Sequence, residues 1–170
     1  MKKQIAIPAA VSSLRIAALP PFLYLFNMNE TLFCFVLFVS VALTDLFDGY
    51  LARKLGATSR FGAYYDAVTD FVLVLGIFSF FYLKGIYPYW LLALIVASFA
   101  QFLLSSFITK KLFDPVGRYV GSALYIGVAL TVLFPSQATY DFVQYAFLGF
   151  FAVSLASRVL TMRKQLNRHG

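Results

Sequence analysis

Four aspartates, Asp45, Asp48, Asp66 and Asp70, stand inside runs of apolar residues and make up more than half of the seven acidic residues in the chain. Ionisable groups in such runs are costly to bury and mark sites of chemistry. A turn centred near residue 57 joins the two runs, so Asp45 and Asp70 are expected at one depth of the hairpin, and Asp48 and Asp66 at another. At about 100° per residue, Asp45, Asp48, Gly49 and Ala52 share a stripe of one helix with Arg53 at its edge, while Gly62, Asp66 and Asp70 share a stripe of the next. Each stripe sets acids beside very small residues, which leaves room for a ligand. Four carboxylates in a low-dielectric setting repel one another unless cations lie between them. With oxygen donors and no His or Cys nearby, the expected cations are Mg²⁺ or Mn²⁺, and neutralising four acids takes two ions. Such a pair can hold a diphosphate, orient an attacking oxygen and neutralise the departing one, as in phosphoryl transfer.

The elements that must position these aspartates follow from composition. Of 170 residues, 61% are hydrophobic, 19% aromatic and only 12% charged, well outside the soluble range of about 45–50% apolar and 25% charged. A helix needs roughly 20 apolar residues to cross about 30 Å of hydrocarbon. Six stretches qualify: Ile5–Asn27, Leu32–Ala52, Phe61–Leu83, Tyr89–Ile108, Val116–Phe134 and Phe142–Leu160. The expected fold is therefore an all-α integral membrane protein, a single six-span domain over residues 1–170, with a cytoplasm-facing metal site on helices 2 and 3. Turn residues fill the short connections, as in Asn27–Glu30, Gly56–Arg60, Lys84–Pro88 and Pro135–Asp141. Pro20 and Pro21 are expected to kink or break the first helix, and Pro8 to mark a short interfacial segment before it. Met1-Lys2-Lys3 ahead of an apolar run has the look of a signal peptide, but Arg15 interrupts the run, and the segment is read as retained.

Orientation follows from the cations, which flank short loops on the cytoplasmic side. With the N-terminus inside, eleven of the fourteen Lys and Arg fall on inner flanks, Lys84 alone falls in an outer loop, and Arg15 and Arg158 lie within spans. Both termini and the aspartate site are thus expected to face the cytoplasm, in the cell (plasma) membrane. The net charge of +7 is distributed between apolar runs rather than over one wetted face, so nucleic-acid binding is not expected. The single cysteine, Cys34, provides neither a disulfide nor a zinc cluster and reads as packing. The many Phe residues read as lipid-facing or packing groups.

The segment Asp45-Leu-Phe-Asp48-Gly49-Tyr-Leu-Ala52-Arg53, followed after eight residues by Gly62, after three more by Asp66 and after three more by Asp70, resembles the signature of the CDP-alcohol phosphotransferase family, D-x2-D-G-x2-A-R-x8-G-x3-D-x3-D. Every fixed position matches at the family's spacing. The resemblance implies a membrane transferase in which an alcohol hydroxyl attacks the β-phosphorus of a CDP-linked lipid such as CDP-diacylglycerol and CMP leaves. It further implies that Asp45, Asp48, Asp66 and Asp70 hold two divalent metals, that Asp70 is also the general base, and that Gly49, Ala52, Arg53 and Gly62 receive the cytidine diphosphate. A homodimer is implied as well. One departure lies near the N-terminus: the family often carries P-N-x-L-T-x-x-R, where this chain has Pro8-Ala9-Ala10-Val11-Ser12-Ser13-Leu14-Arg15, with Ala9 in place of Asn.

Lys110, Lys111, Arg118 and Arg158 are expected near the cytoplasmic face, around the hairpin. Arg118, Arg158 and Lys111 are the candidate acceptor-binding residues if the alcohol carries its own phosphate, since guanidinium matches phosphate in a bidentate fashion; the plainer reading is positive-inside flanking charge. A phosphorylated acceptor, glycerol 3-phosphate, is preferred over inositol phosphate, serine or another alcohol. Arg15 must find an anion or reach the interface, and a phosphate contact is one expectation for it. His169 reads as a solvated tail residue, and Asp114-Pro115 and Asp141 as turn and capping residues. A divalent-cation or proton-coupled transporter is the rival class, but acids at one face without an inverted second copy do not match it. A scaffold leaves four buried acids without a purpose.

Overall fold

In the computed structural model, backbone is described for residues 2–54, 60–109 and 115–166, and side chains for 15–44, 62, 64–104, 106 and 119–157. The described residues are helical throughout, apart from short turns, in six helices: α1 (Lys2–Asn27), α2 (Thr31–Lys54), α3 (Arg60–Leu83), α4 (Tyr89–Thr109), α5 (Pro115–Leu133) and α6 (Gln137–Leu166). Each coincides with one of the six apolar runs. Among the described residues, Tyr64–Leu83 is long and apolar enough to cross a membrane, and Thr31–Thr44, Tyr89–Leu104 and Tyr119–Leu133 are shorter apolar helical stretches.

Local chemistry sets the helix ends. Asn29 adopts a left-handed φ of 59°, and Glu30 N donates to Leu25 O at 3.0 Å while Asn29 N donates to Phe26 O at 3.1 Å, the paired bonds that close a helix C-terminus around one left-handed residue. Gly85, with φ 73°, closes α3 in the same way through Ile86 N to Phe81 O and Gly85 N to Tyr82 O, both 2.9 Å. Across these two ends Lys84 Nζ donates to Asn27 Oδ1 at 2.5 Å, tying α1 to α3.

Three expectations are corrected. Of the kink or break expected at Pro20 and Pro21, the break does not occur, and Pro8 does not set off a separate segment: the helix runs continuously from Lys2 to Asn27. Proline's φ is already helical, and the adjacent pair at 20 and 21 leaves only the carbonyls of Ile16 and Ala17 without their usual intrahelical donors. Asp141 is no cap either. Ser136 caps α6, its Oγ accepting from Thr139 N at 3.3 Å, and Asp141 lies one turn inside, where its Oδ1 accepts from Gln137 Nε2 at 3.0 Å and Gln144 Nε2 at 2.8 Å. Apolarity located the span, but the cap set the helix start five residues earlier.

α1 packs along both α2 and α3 and is the main neighbour of each among the described residues; α5 touches α2, α3, α4 and α6. Gly76 permits the close approach of α1 to α3, for a Cβ there would lie 2.6 Å from Leu19 Cδ2. The core of Phe22, Ile77, Phe78, Phe81, Leu91, Ile95 and Val128 is fully buried, with ring contacts such as Phe26 to Phe81 at 5.0 Å. Phe33 and Phe142 instead face outward, while the buried rings serve the expected packing role.

Candidate active site

Three helices converge on the α3 carboxylates. Gly62, Asp66 and Asp70 follow one another at four-residue intervals along α3, so their positions form one stripe of the helix, as the spacing predicts. Arg15, midway along α1, is 3% exposed, and its Nη1 donates to Asp70 Oδ1 at 2.7 Å while Nη2 lies 3.9 Å from Asp66 Oδ1. From α5, Tyr125 Oη donates to the same Asp70 Oδ1 at 3.0 Å. Thr69 Oγ1 donates to the Asp66 carbonyl at 2.8 Å, and Tyr64 Oη and Ser106 Oγ share a hydrogen bond of 2.6 Å that links α3 to α4 at this end of the bundle.

The carboxylates and the guanidinium differ sharply in access. The side chains of Asp66 and Asp70 are 42% and 31% exposed, against 4% for that of Arg15. The cation is therefore sealed between helices while the acids keep an open side. Burying a guanidinium without an anion costs several kcal/mol, on the order of 3–5 when a partner is removed, and Asp70 is the partner that makes Arg15 tolerable at this depth. The expectation that Arg15 finds an anion is met by these carboxylates, and the guanidinium compensates part of the charge that the aspartates bring together.

Asp45, Asp48, Gly49, Ala52 and Arg53 belong to helical backbone in α2, Arg118 to α5 and Arg158 to α6, but their side chains lie outside the described residues, as does Lys111 altogether. The donor chemistry fits Mg²⁺ or Mn²⁺: Asp66 and Asp70 offer partly exposed oxygen donors one turn apart, and α2 carries a second pair three residues apart. Tyr125 was missed by the sequence reading. A signal existed, since it stands seven residues after Arg118 on α5, on the same helical face, and a tyrosine hydroxyl in an apolar span requires a partner.

The sequence profile of the CDP-alcohol phosphatidyltransferases matches residues 5–161. The chain belongs to the CDP-alcohol phosphatidyltransferase family. The match takes in α2 and α3 with all four aspartates, together with Arg15 and Tyr125, which hydrogen-bond Asp70 among the described residues. Among individual relatives, the chain is 42% identical over 74 residues to a protein of Pectobacterium atrosepticum named CDP-diacylglycerol–glycerol-3-phosphate 3-phosphatidyltransferase, covering 42% of this chain and 41% of that one. Proteins of the same name from Wigglesworthia glossinidia brevipalpis and Sodalis glossinidius are 39% identical over 71 residues and 40% identical over 74. They cover 40% and 42% of this chain, and 39% and 41% of their own lengths. The chain thus spans about two-fifths of the length of the relatives it matches.

Proposed function

We propose that this protein is a membrane-embedded transferase that moves a phosphatidyl group from a CDP-linked lipid, CDP-diacylglycerol, to glycerol 3-phosphate with release of CMP. The observation that carries the reading is the α3 carboxylate pair, open on one side and anchored by the buried Arg15, within a chain of this family. The acceptor rests on the printed names of relatives that match two-fifths of the chain and on the cationic positions Arg118, Arg158 and Lys111.

In this reading Asp45, Asp48, Asp66 and Asp70 hold two Mg²⁺ or Mn²⁺ ions, and Gly49, Ala52, Arg53 and Gly62 receive the cytidine diphosphate. When bound, the cations neutralise the diphosphate and the charge that develops on departing CMP. The acceptor hydroxyl oxygen forms a bond to the β-phosphorus, the bond from that phosphorus to the CMP oxygen breaks, and the hydroxyl proton passes to Asp70. Arg118 and Arg158 hold the acceptor's phosphate. The six helices each span the bilayer, with the aspartates and both termini on the cytoplasmic side, and the protein works as a homodimer.

The test is purified protein in detergent with CDP-diacylglycerol, Mg²⁺ or Mn²⁺ and, in parallel, glycerol 3-phosphate, inositol phosphate or serine. CMP release is expected with glycerol 3-phosphate. Absence of CMP with every acceptor overturns the transferase reading, and CMP with serine or inositol phosphate alone overturns the acceptor.

A further inference from the structure

We propose that Tyr125 is a positioning residue for the transfer, a strut between the two aspartate-bearing helices that fixes the orientation of the Asp70 carboxylate. The inference rests on the reading of Asp70 as base and metal ligand. Its geometry involves both helices. The Tyr125 hydroxyl donates to Asp70 Oδ1 on α3 at 3.0 Å, and the ring lies 5.4 Å from that of Phe38 on α2 at an interplanar angle of 31°. Phe38 is buried and stands seven residues, close to two full turns, before Asp45 on α2. One side chain thus touches the helix of Asp66 and Asp70 and also the helix of Asp45 and Asp48.

Arg15 and Tyr125 meet the same carboxylate oxygen from different helices. Two donors from separate rigid elements restrict the swing of the carboxylate more than either does alone. Their contributions differ in kind. Arg15 brings charge and cannot be removed without leaving Asp70 short of a cation, but the tyrosine hydroxyl is neutral and its loss leaves no charge stranded. Tyr125→Phe therefore deletes the donor while keeping the ring against Phe38, and Phe38→Leu weakens the ring support while keeping the donor.

A hydroxyl that had merely found an acceptor in an apolar bundle would affect stability alone. A positioning hydroxyl affects turnover and metal affinity through Asp70. We expect Tyr125→Phe to lower kcat and to weaken Mn²⁺ binding, followed by electron paramagnetic resonance, each by about tenfold as is usual for groups that orient a ligand carboxylate. The KM for CDP-diacylglycerol should stay close to wild type, and the melting temperature should fall by no more than the loss of one hydrogen bond entails. In an Asp70→Asn background the same substitution should not weaken Mn²⁺ binding further, because its route to the metal is gone. Phe38→Leu should lower kcat in the same direction by a smaller factor, and Tyr145→Phe, on the exposed face of α6, should change nothing. Wild-type kcat and Mn²⁺ affinity in Tyr125→Phe, or an equal loss of affinity with and without Asp70, overturns the proposal; unchanged kcat in Phe38→Leu overturns the strut. Full turnover in Asp70→Asn would instead remove the base assignment, which the Mn²⁺ cycle does not depend on.

Discussion

Arg15 of α1 and Asp70 of α3, fifty-five residues apart in sequence, meet with Nη1 2.7 Å from Oδ1. The contact couples the placement of α1 to the proposed base, and it sets charge compensation inside the protein as well as in any bound cation. It fits the close packing of α1 along α3: the buried guanidinium reaches the α3 carboxylates from one side while these stay partly exposed.

Removing that guanidinium should affect stability and turnover together. Because the Asp70 side chain is 31% exposed, Arg15→Leu is expected to cost about 2 kcal/mol, less than a fully buried pair would. Thermal unfolding in detergent reads the loss. Arg15→Lys keeps the charge but not the planar fork, so it should recover stability more fully than kcat. Equal recovery of both would show that only charge matters.

Cations should be indispensable. Treatment with a chelator is expected to abolish CMP release, and Mg²⁺ or Mn²⁺ to restore it, while Asp48→Asn should raise the metal concentration needed for half-maximal activity. Undiminished CMP release after exhaustive chelation would contradict the metal assignment.

If Arg118 holds the acceptor's phosphate, Arg118→Ala should raise the KM for glycerol 3-phosphate by about tenfold or more, the worth of a charge-assisted hydrogen bond, and raise that for CDP-diacylglycerol much less. Steady-state kinetics with each substrate varied in turn decides it. An equal rise in both KM values would return Arg118 to the role of a flanking charge.

At the other end of the bundle, Tyr87, in the turn between α3 and α4, shares a hydrogen bond of 2.6 Å with Thr131. Burial pushes its hydroxyl from the ordinary 10.0 up to about 12, against the opposing pull of the Thr131 bond. A folded-state pKa raised above the unfolded one gives stability that is fully present below pH 10 and lost as pH rises towards 12. Tyr87→Phe should therefore be less stable than wild type at pH 8, by about 1 kcal/mol, with a smaller decline between pH 10 and 12. Parallel declines in the two proteins would contradict the assignment.

The sequence made the helices legible because apolar run length is a local property, and each run became one helix with ends displaced by only a few residues wherever a cap such as Ser136 intervened. The stripe of Gly62, Asp66 and Asp70 was equally legible, since it depends only on helical periodicity. What no local pattern carried was the partner of each charge. Arg15 was recognised as needing an anion, yet its choice of Asp70 depends on how α1 packs against α3, and Tyr125 enters only because α5 also touches both α2 and α3. The break allowed for at Pro20 and Pro21 did not occur for a related reason: their local effect was weighed without the continuous helix around them.

The central claim is that Asp70 accepts the acceptor's proton at a metal-held, CDP-linked lipid. Its most direct test is CMP release from CDP-diacylglycerol and glycerol 3-phosphate by wild type and Asp70→Asn, with nucleotide binding measured on the same preparations. The account predicts that Asp70→Asn binds nucleotide substantially and releases no CMP above background. Wild-type CMP release by Asp70→Asn would contradict it.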